Sequence, residues 1–278
     1  MRRELEFMHE VADEASDLAM QFFLTGAKVD VKPDDSLVTE ADLAVDRLVS
    51  ARIAERFPHD AIIGEELGSA GFGPRTWIVD PIDGTSFFAS SNPNWRIHLA
   101  FRIDERIELA VVAAPALALR WWAQRGSGAF EANWPLNGDG PRRLRASGTC
   151  EMKASLVACV PEVARDRLPP GCGVAPTSPL PLVELVRGDI DAFVAEGFHL
   201  WDHAPWILLV QEAGGRFTDR VGSSSGARGG GVYSNDSLHE DLVGALGYRS
   251  AHGVATFVAA SAGSDGVGAG SFTTPSTT

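Results

Sequence analysis

The sequence predicts a mixed α/β (α+β) fold, and three patterns carry that reading. Two amphipathic helical stretches open the chain, β-rich segments fill 97–124 as an antiparallel meander, and the last third alternates strands with short helices. The chain has 278 residues, 45% of them apolar, enough for one large domain or two modest ones sharing an interface.

The elements follow in order. Leu5, Met8, Val11, Ala12, Ala15, Leu18, Ala19, Phe22 and Phe23 recur at helical spacing, and Gly26 offers a stop. Thr39 with Asp42 three residues on resembles a capping box, so a second helix is expected from there to about Phe57, ended by Pro58. "AIIGEEL" (61–67) reads as a short strand ending in Glu65 and Glu66. "WIVD" reads as another that ends at Asp80, with Asp83 in the turn beyond. The meander comprises strands around 97–102, 107–113 and 119–124, and at most one of Trp121 and Trp122 is expected to face a core. The polar stretch 131–149 suggests a boundary between an N-terminal domain (1–145) and a C-terminal one (146–250). "ASLVACV" and "DAFVA" are strand candidates, and "LVELVRG" is a short helix. A longer helix runs from Trp201-Asp202 to the glycines of "EAGG", followed by two strands and a closing helix. Residues 251–278 hold one charged side chain, Asp265, and are expected to be a disordered tail.

Composition narrows the function. The net charge of −13 disfavours nucleic acid and anionic membranes as partners, although an acidic excess often serves solubility alone. No apolar run approaches the roughly 20 residues of a membrane span, and "MRRELEFMHE" lacks a signal-peptide core. A cytoplasmic location is expected. Cys150, Cys159 and Cys172 form no CxxC and are expected to be reduced.

The acids suggest chemistry. Glu65 and Asp80 close strand candidates, Asp83 sits in a turn, and Asp42 and Asp202 lie at helix starts. Such positions converge on one crevice at a sheet edge. Carboxylates brought together raise one another's pKa unless a cation neutralises them. Mg²⁺ suits oxygen ligands and also takes phosphate oxygens. No His/Cys cluster favours zinc. Gly84 lets the backbone approach a ligand, and a helix starting near Thr85 would offer amides to an anion. Taken singly, Asp42 and Asp202 are equally well read as helix-terminus acids. The DxDGT signature of haloacid dehalogenases is excluded, because Asp80 and Asp83 stand three apart with Pro81 between them.

"VTEAD" (38–42), "GEE" (64–66), "WIVDPIDGT" (77–85) and "LWDHAPWILLVQEAGG" (200–215) resemble the motifs of the inositol monophosphatase family in order and separation. "VVAAPALALRWWAQRGSGAF" (111–130) is similar to a segment of its bacterial members, among them histidinol-phosphate phosphatases. The resemblance implies a layered αβαβα sandwich and a lithium-sensitive phosphatase of small phosphate monoesters, dependent on two or three Mg²⁺ ions. It implies that Glu65, Asp80 and the Ile82 carbonyl bind a first ion, and that Asp80, Asp83 and Asp202 bind a second. Glu65 and Asp42 would help hold a third ion or its waters. Thr85, linked to Asp42, would orient and deprotonate the attacking water, and the amides of Gly84 and Thr85 would hold the phosphate. His199, Glu196 and Thr177 are the substrate-side candidates. Family members often form homodimers.

The sequence also departs from the family. Ser86-Phe87-Phe88 replaces a stretch that usually carries an asparagine at position 87. Ala195 stands where many members carry an acid, and Pro176-Thr177-Ser178-Pro179 replaces a glycine-containing loop. Two other readings are a catalytically weakened relative acting as a binding or regulatory module, and a phosphatase of nucleotide or sugar bisphosphates.

Overall fold

The computed structural model describes residues 1–135, 140–160, 166–226 and 229–248. The expected tail at 251–278 lies outside the described residues. Helix α1 (Arg2–Thr25) buries Phe7, Met8, Val11, Ala12, Ala15 and Ala19 along one face and ends at Gly26, whose φ of 86° only glycine adopts readily. A hairpin of β1 (Val29–Val31) and β2 (Leu37–Thr39), which the sequence pattern did not announce, leads into α2 (Glu40–Arg56). Thr39 and Asp42 form the expected capping box at its start.

An eight-stranded sheet follows. Its strands are β3 (Ala61–Gly64), β4 (Gly68–Ala70), β5 (Arg75–Asp83), β6 (Arg96–Ile103), β7 (Arg106–Ala114), β8 (Leu119–Gln124), β9 (Gly128–Asn133) and β10 (Arg142–Arg143), in spatial order β10-β9-β8-β7-β6-β5-β3-β4. Only β3 and β5 pair in parallel among them. Two expectations are corrected here. β3 stops at Gly64, one residue before the acids, because Asp46 captures the amides of Glu66 and Leu67 at 3.1 and 3.0 Å and turns the chain. β5 continues through Pro81 to Asp83, with a bulge between Asp80 and Asp83 rather than a strand end. After Gly84 comes a short helix, α3 (Thr85–Ala89).

The chain then builds a five-stranded sheet from β11 (Leu156–Val160), β12 (Gly173–Val174), β13 (Ala192–Glu196), β14 (Gly215–Asp219) and β15 (Gly230–Asn235), ordered β12-β11-β13-β15-β14. Helices α4 (Pro181–Arg187), α5 (Leu200–Glu212) and α6 (His239–Ala245) accompany it.

Three cores stack these elements into an αβαβα sandwich. Helices α1 and α2 cover one face of the large sheet through Trp77, Val79, Leu99, Phe101 and Val111. Its other face offers Ile78, Ala100, Val112 and Trp121 to α4 and α5, which also meet Phe193, Phe217 and Tyr233 of the small sheet. Helix α6 closes the far side through Leu242 and Val243. Because the large sheet is covered on both faces, Trp121 and Trp122 both pack, one into each layer. No helix among the described residues is long and apolar enough to cross a membrane.

Candidate active site

The acids meet beside β5, where α5 begins. β5 carries Asp80 at its core, 1% exposed, and Asp83 beyond the bulge. Glu65 follows β3, the parallel neighbour of β5. Asp202 lies in the first turn of α5, where its Oδ2 accepts the His199 amide at 2.6 Å. The carboxyl of Asp80 stands against those of Glu65 and Asp202.

Their electrostatics record the crowding. Burial, then the charges of Asp83, Glu65 and Asp202, hold Asp80 well above the usual carboxylate range. Burial and the Asp83 charge push Asp202 up to about 7. Asp83 goes the other way. Burial opposes ionisation there, but the charge of Arg96 and its hydrogen bond outweigh it.

Two residues that the sequence reading passed over explain that contrast. Across the β5–β6 ladder, Arg96 pairs with Asp83 and His98 with Asp80. The Arg96 guanidinium grips Asp83 Oδ2 through Nε at 2.7 Å and through Nη2, and its Nη1 donates to the Pro179 carbonyl at 3.1 Å. His98 is 2% exposed. Burial lowers its pKa to about 4, so the ring is neutral at pH 7. A signal was present in "RIHLAF", where two basic side chains share the face of a strand whose other residues are apolar.

Lys32, just past β1, is a second cation beside the acids. Its ammonium bonds Glu65 at 2.9 Å and Glu66 at 2.6 Å. Nothing in the hairpin's sequence announces this reach.

Beside the acids stands a hydroxyl–carboxylate pair. Thr85 Oγ1 lies 3.3 Å from Asp42 Oδ1 and 3.2 Å from the Ile82 carbonyl. Asp42 is buried, which raises its pKa, and its other oxygen accepts the Thr39 amide and hydroxyl. Gly84 opens α3 at φ 83°, a left-handed conformation in which a Cβ would meet Phe87 at 3.2 Å.

The substrate-side candidates do not gather as the metal-side ones do. His199 is exposed and stacks on Trp201 with ring centroids 4.8 Å apart. Thr177 is exposed on the rim of a neighbouring pocket. Glu196 follows Val194 onto the face of β13 opposite Phe193 and Ala195, where Arg167, Arg220 and the Tyr248 hydroxyl hold it at 2.8, 2.9 and 3.0 Å. Its carboxylate is therefore committed on the far side of the strand. The two phenylalanines of the DPIDGT stretch separate: Phe88 packs on Phe23 and Trp95, and Phe87 lines a cavity beside Asp83.

The residues fit a divalent cation. Asp80 Oδ1 is buried with no hydrogen-bond partner among the described residues. Ligand atoms of Asp80, Asp83 and His98 lie within 4.8 Å of one another. An oxygen-dominated donor set carrying this much negative charge suits a hard ion.

Residues 1–251 match the inositol monophosphatase family model. A Streptomyces griseus protein named glucose-1-phosphate thymidylyltransferase is 38% identical over 87% of this chain and 96% of its own. The histidinol-phosphatase of Mycobacterium tuberculosis is 34% identical over 84% and 94%. The structure of a Thermotoga maritima IMPase superposes with a TM-score of 0.72 at 30% identity, covering 88% of this chain and 97% of that one. The acid motifs, the five layers and these likenesses agree: this chain belongs to the inositol monophosphatase family and is a phosphoric monoester hydrolase of that kind.

Proposed function

We propose that this chain is a Mg²⁺-dependent phosphatase of a small phosphorylated metabolite. The carrying observation is the convergence of Glu65, Asp80, Asp83 and Asp202 beside the Thr85–Asp42 pair. The Streptomyces griseus relative is named for nucleotidyl transfer, but a hydroxyl–carboxylate pair set beside clustered acids favours hydrolysis.

Glu65, Asp80 and the Ile82 carbonyl would hold a first ion, and Asp80, Asp83 and Asp202 a second. When bound, such ions neutralise the acids and the phosphate and make water a better nucleophile at neutral pH. The chain supplies the positioning. Thr85 Oγ1 orients the attacking water and relays its proton toward Asp42, whose burial makes it a stronger acceptor than a solvated carboxylate. The amides of Gly84 and Thr85 hold the phosphate as the water–phosphorus bond forms and the ester P–O bond breaks, and the proton passed to Asp42 returns through solvent to the departing oxygen. Inositol monophosphate and histidinol phosphate, for which relatives are named, are the reference substrates.

In the test, Asp80→Asn abolishes Mg²⁺-dependent phosphate release from simple monoesters. Unchanged turnover in a folded Asp80→Asn protein refutes the assignment.

A further inference from the structure

A cavity of about 310 Å³ opens from the acid cluster. Asp83, Arg96, His98 and Asp202 line its inner end. Phe87, Leu180, Val183, Phe193, Phe198 and Trp206 form most of the remaining wall. We propose that the phosphate ester cleaved here carries a flat apolar body of one or two rings, in place of a polyol or an amino alcohol. This inference rests on the phosphatase reading above and names its substrate class.

A polyol is poorly served by these walls. Each buried hydroxyl needs a partner, and a site that lacks partners penalises it. Among the described lining residues beyond the acid end, Ser178 is the one side chain with a hydroxyl or amide, and its Oγ accepts the Leu180 amide at 3.1 Å. The Trp206 indole N–H is directed to His98 at 3.3 Å, and the Arg96 guanidinium to Asp83 and the Pro179 carbonyl.

An amino alcohol fares no better. Its ammonium group would need a carboxylate away from the phosphate. β13 turns Phe193 and Ala195 to this side, and Glu196 is bound to Arg167 and Arg220 on the other.

An apolar ring meets what the cavity provides. A dry cavity of about 150 Å³ holds benzene, so twice that volume accepts a two-ring body. The aromatic walls offer edge and face contacts. Phe87 is the specificity-determining residue. It sits two residues after Thr85, half-buried, where the body of an ester held at Thr85 meets the wall.

The experiment compares three alkyl phosphates with the full chain in Mg²⁺: 2-(2-naphthyl)ethyl phosphate, inositol 1-phosphate and histidinol phosphate. All three leave as alkoxides, so leaving-group reactivity is similar and the body decides. The expected result is a kcat/KM for the naphthylethyl ester at least about tenfold above both others, the discrimination that an apolar pocket supplies. Phe87→Asn is expected to cut that ratio by about tenfold. A preference for inositol 1-phosphate or histidinol phosphate in the unmodified chain overturns the inference and leaves the phosphatase reading intact. A ratio unmoved by Phe87→Asn in a folded variant removes Phe87 from the role. No phosphate from any of the three overturns the phosphatase reading itself.

Discussion

Replacing Asp202 by asparagine should stabilise the metal-free protein while impairing catalysis. The carboxyl rises from an ordinary 3.8 to about 7 in the folded chain, through burial and then the charge of Asp83. Its folded pKa thus exceeds its unfolded one. The stability it contributes is complete below pH of about 4 and is lost as pH climbs from there to about 7. At about 1.4 kcal/mol per pH unit, the ionised form costs the fold about 4 kcal/mol at pH 8. Partial exposure of Asp202 screens that cost, and the acid's favourable place at the α5 N-terminus is forfeited on substitution, so the expected net gain is about 2 kcal/mol. The asparagine oxygen can still accept the His199 amide. Guanidinium chloride unfolding with EDTA at pH 8 and pH 5 measures the effect, which should fall to under half at the lower pH. Millimolar Mg²⁺ should raise the midpoint of the unmodified protein more than that of the variant, since binding to the folded state is linked to stability. If Asp202→Asn is no more stable at pH 8, or is equally stabilised at both pH values, the acids do not repel one another as the structure indicates.

Two further outcomes concern the cations that already face the acids. Arg96→Ala should tighten Mg²⁺ binding by about tenfold, or ~1.4 kcal/mol, because the guanidinium grips the Asp83 oxygen that an ion would use; calorimetry showing equal or weaker binding contradicts this. Lys32→Met should lower stability in EDTA by about 2 kcal/mol, the loss of two charge-assisted hydrogen bonds to Glu65 and Glu66. Mg²⁺ should narrow that deficit, and thermal melts with and without the ion decide it.

The individual elements were legible where their signals are local, whereas the five-layer arrangement came from the resemblance to the family. Helical periodicity marked α1, the Thr39–Asp42 box marked α2, and turn residues separated β6, β7 and β8. What escaped depended on distant partners. β3 ends at Gly64 because of Asp46, eighteen residues upstream on α2, and no local pattern reveals that reach. β5 outran its expected end because a bulge accommodates Pro81, and the neighbouring β6 fixes the register on either side of it. Glu65, Asp83, Asp42 and Asp202 stood out because each lies beside a junction of strand, turn or helix, whereas Asp80 lies inside β5 and not at its end. Arg96 and His98 left only the weak signal of two basic side chains on one face of an apolar strand, and Lys32 left none, because their partners lie on other elements.

Those three residues set this site apart from a bare cluster of carboxylates. Four acids packed without cations would repel one another and cost stability. Here Lys32 covers Glu65 and Arg96 covers Asp83, while Asp80 and Asp202, between them, carry the raised pKa values. The repulsion thus falls on Asp80 and Asp202, which among the described residues no arginine or lysine grips and which hold their protons to higher pH. An ion held by Glu65, Asp80 and the Ile82 carbonyl would compete with Lys32 but not with Arg96, whereas one held by Asp80, Asp83 and Asp202 would have to displace Arg96 from Asp83. The binding order follows from that geometry. A first ion needs no rearrangement of β6, whereas a second would release Arg96, which also holds the Pro179 carbonyl. On the proposed reading, metal binding at Asp83 would be coupled to the cavity wall through one guanidinium. Substituting Arg96 should therefore loosen the segment around Pro179, detectable as faster amide hydrogen exchange at 177–182, together with its effect on Mg²⁺ affinity. Tighter Mg²⁺ binding with unchanged exchange at 177–182 would show that the two are independent.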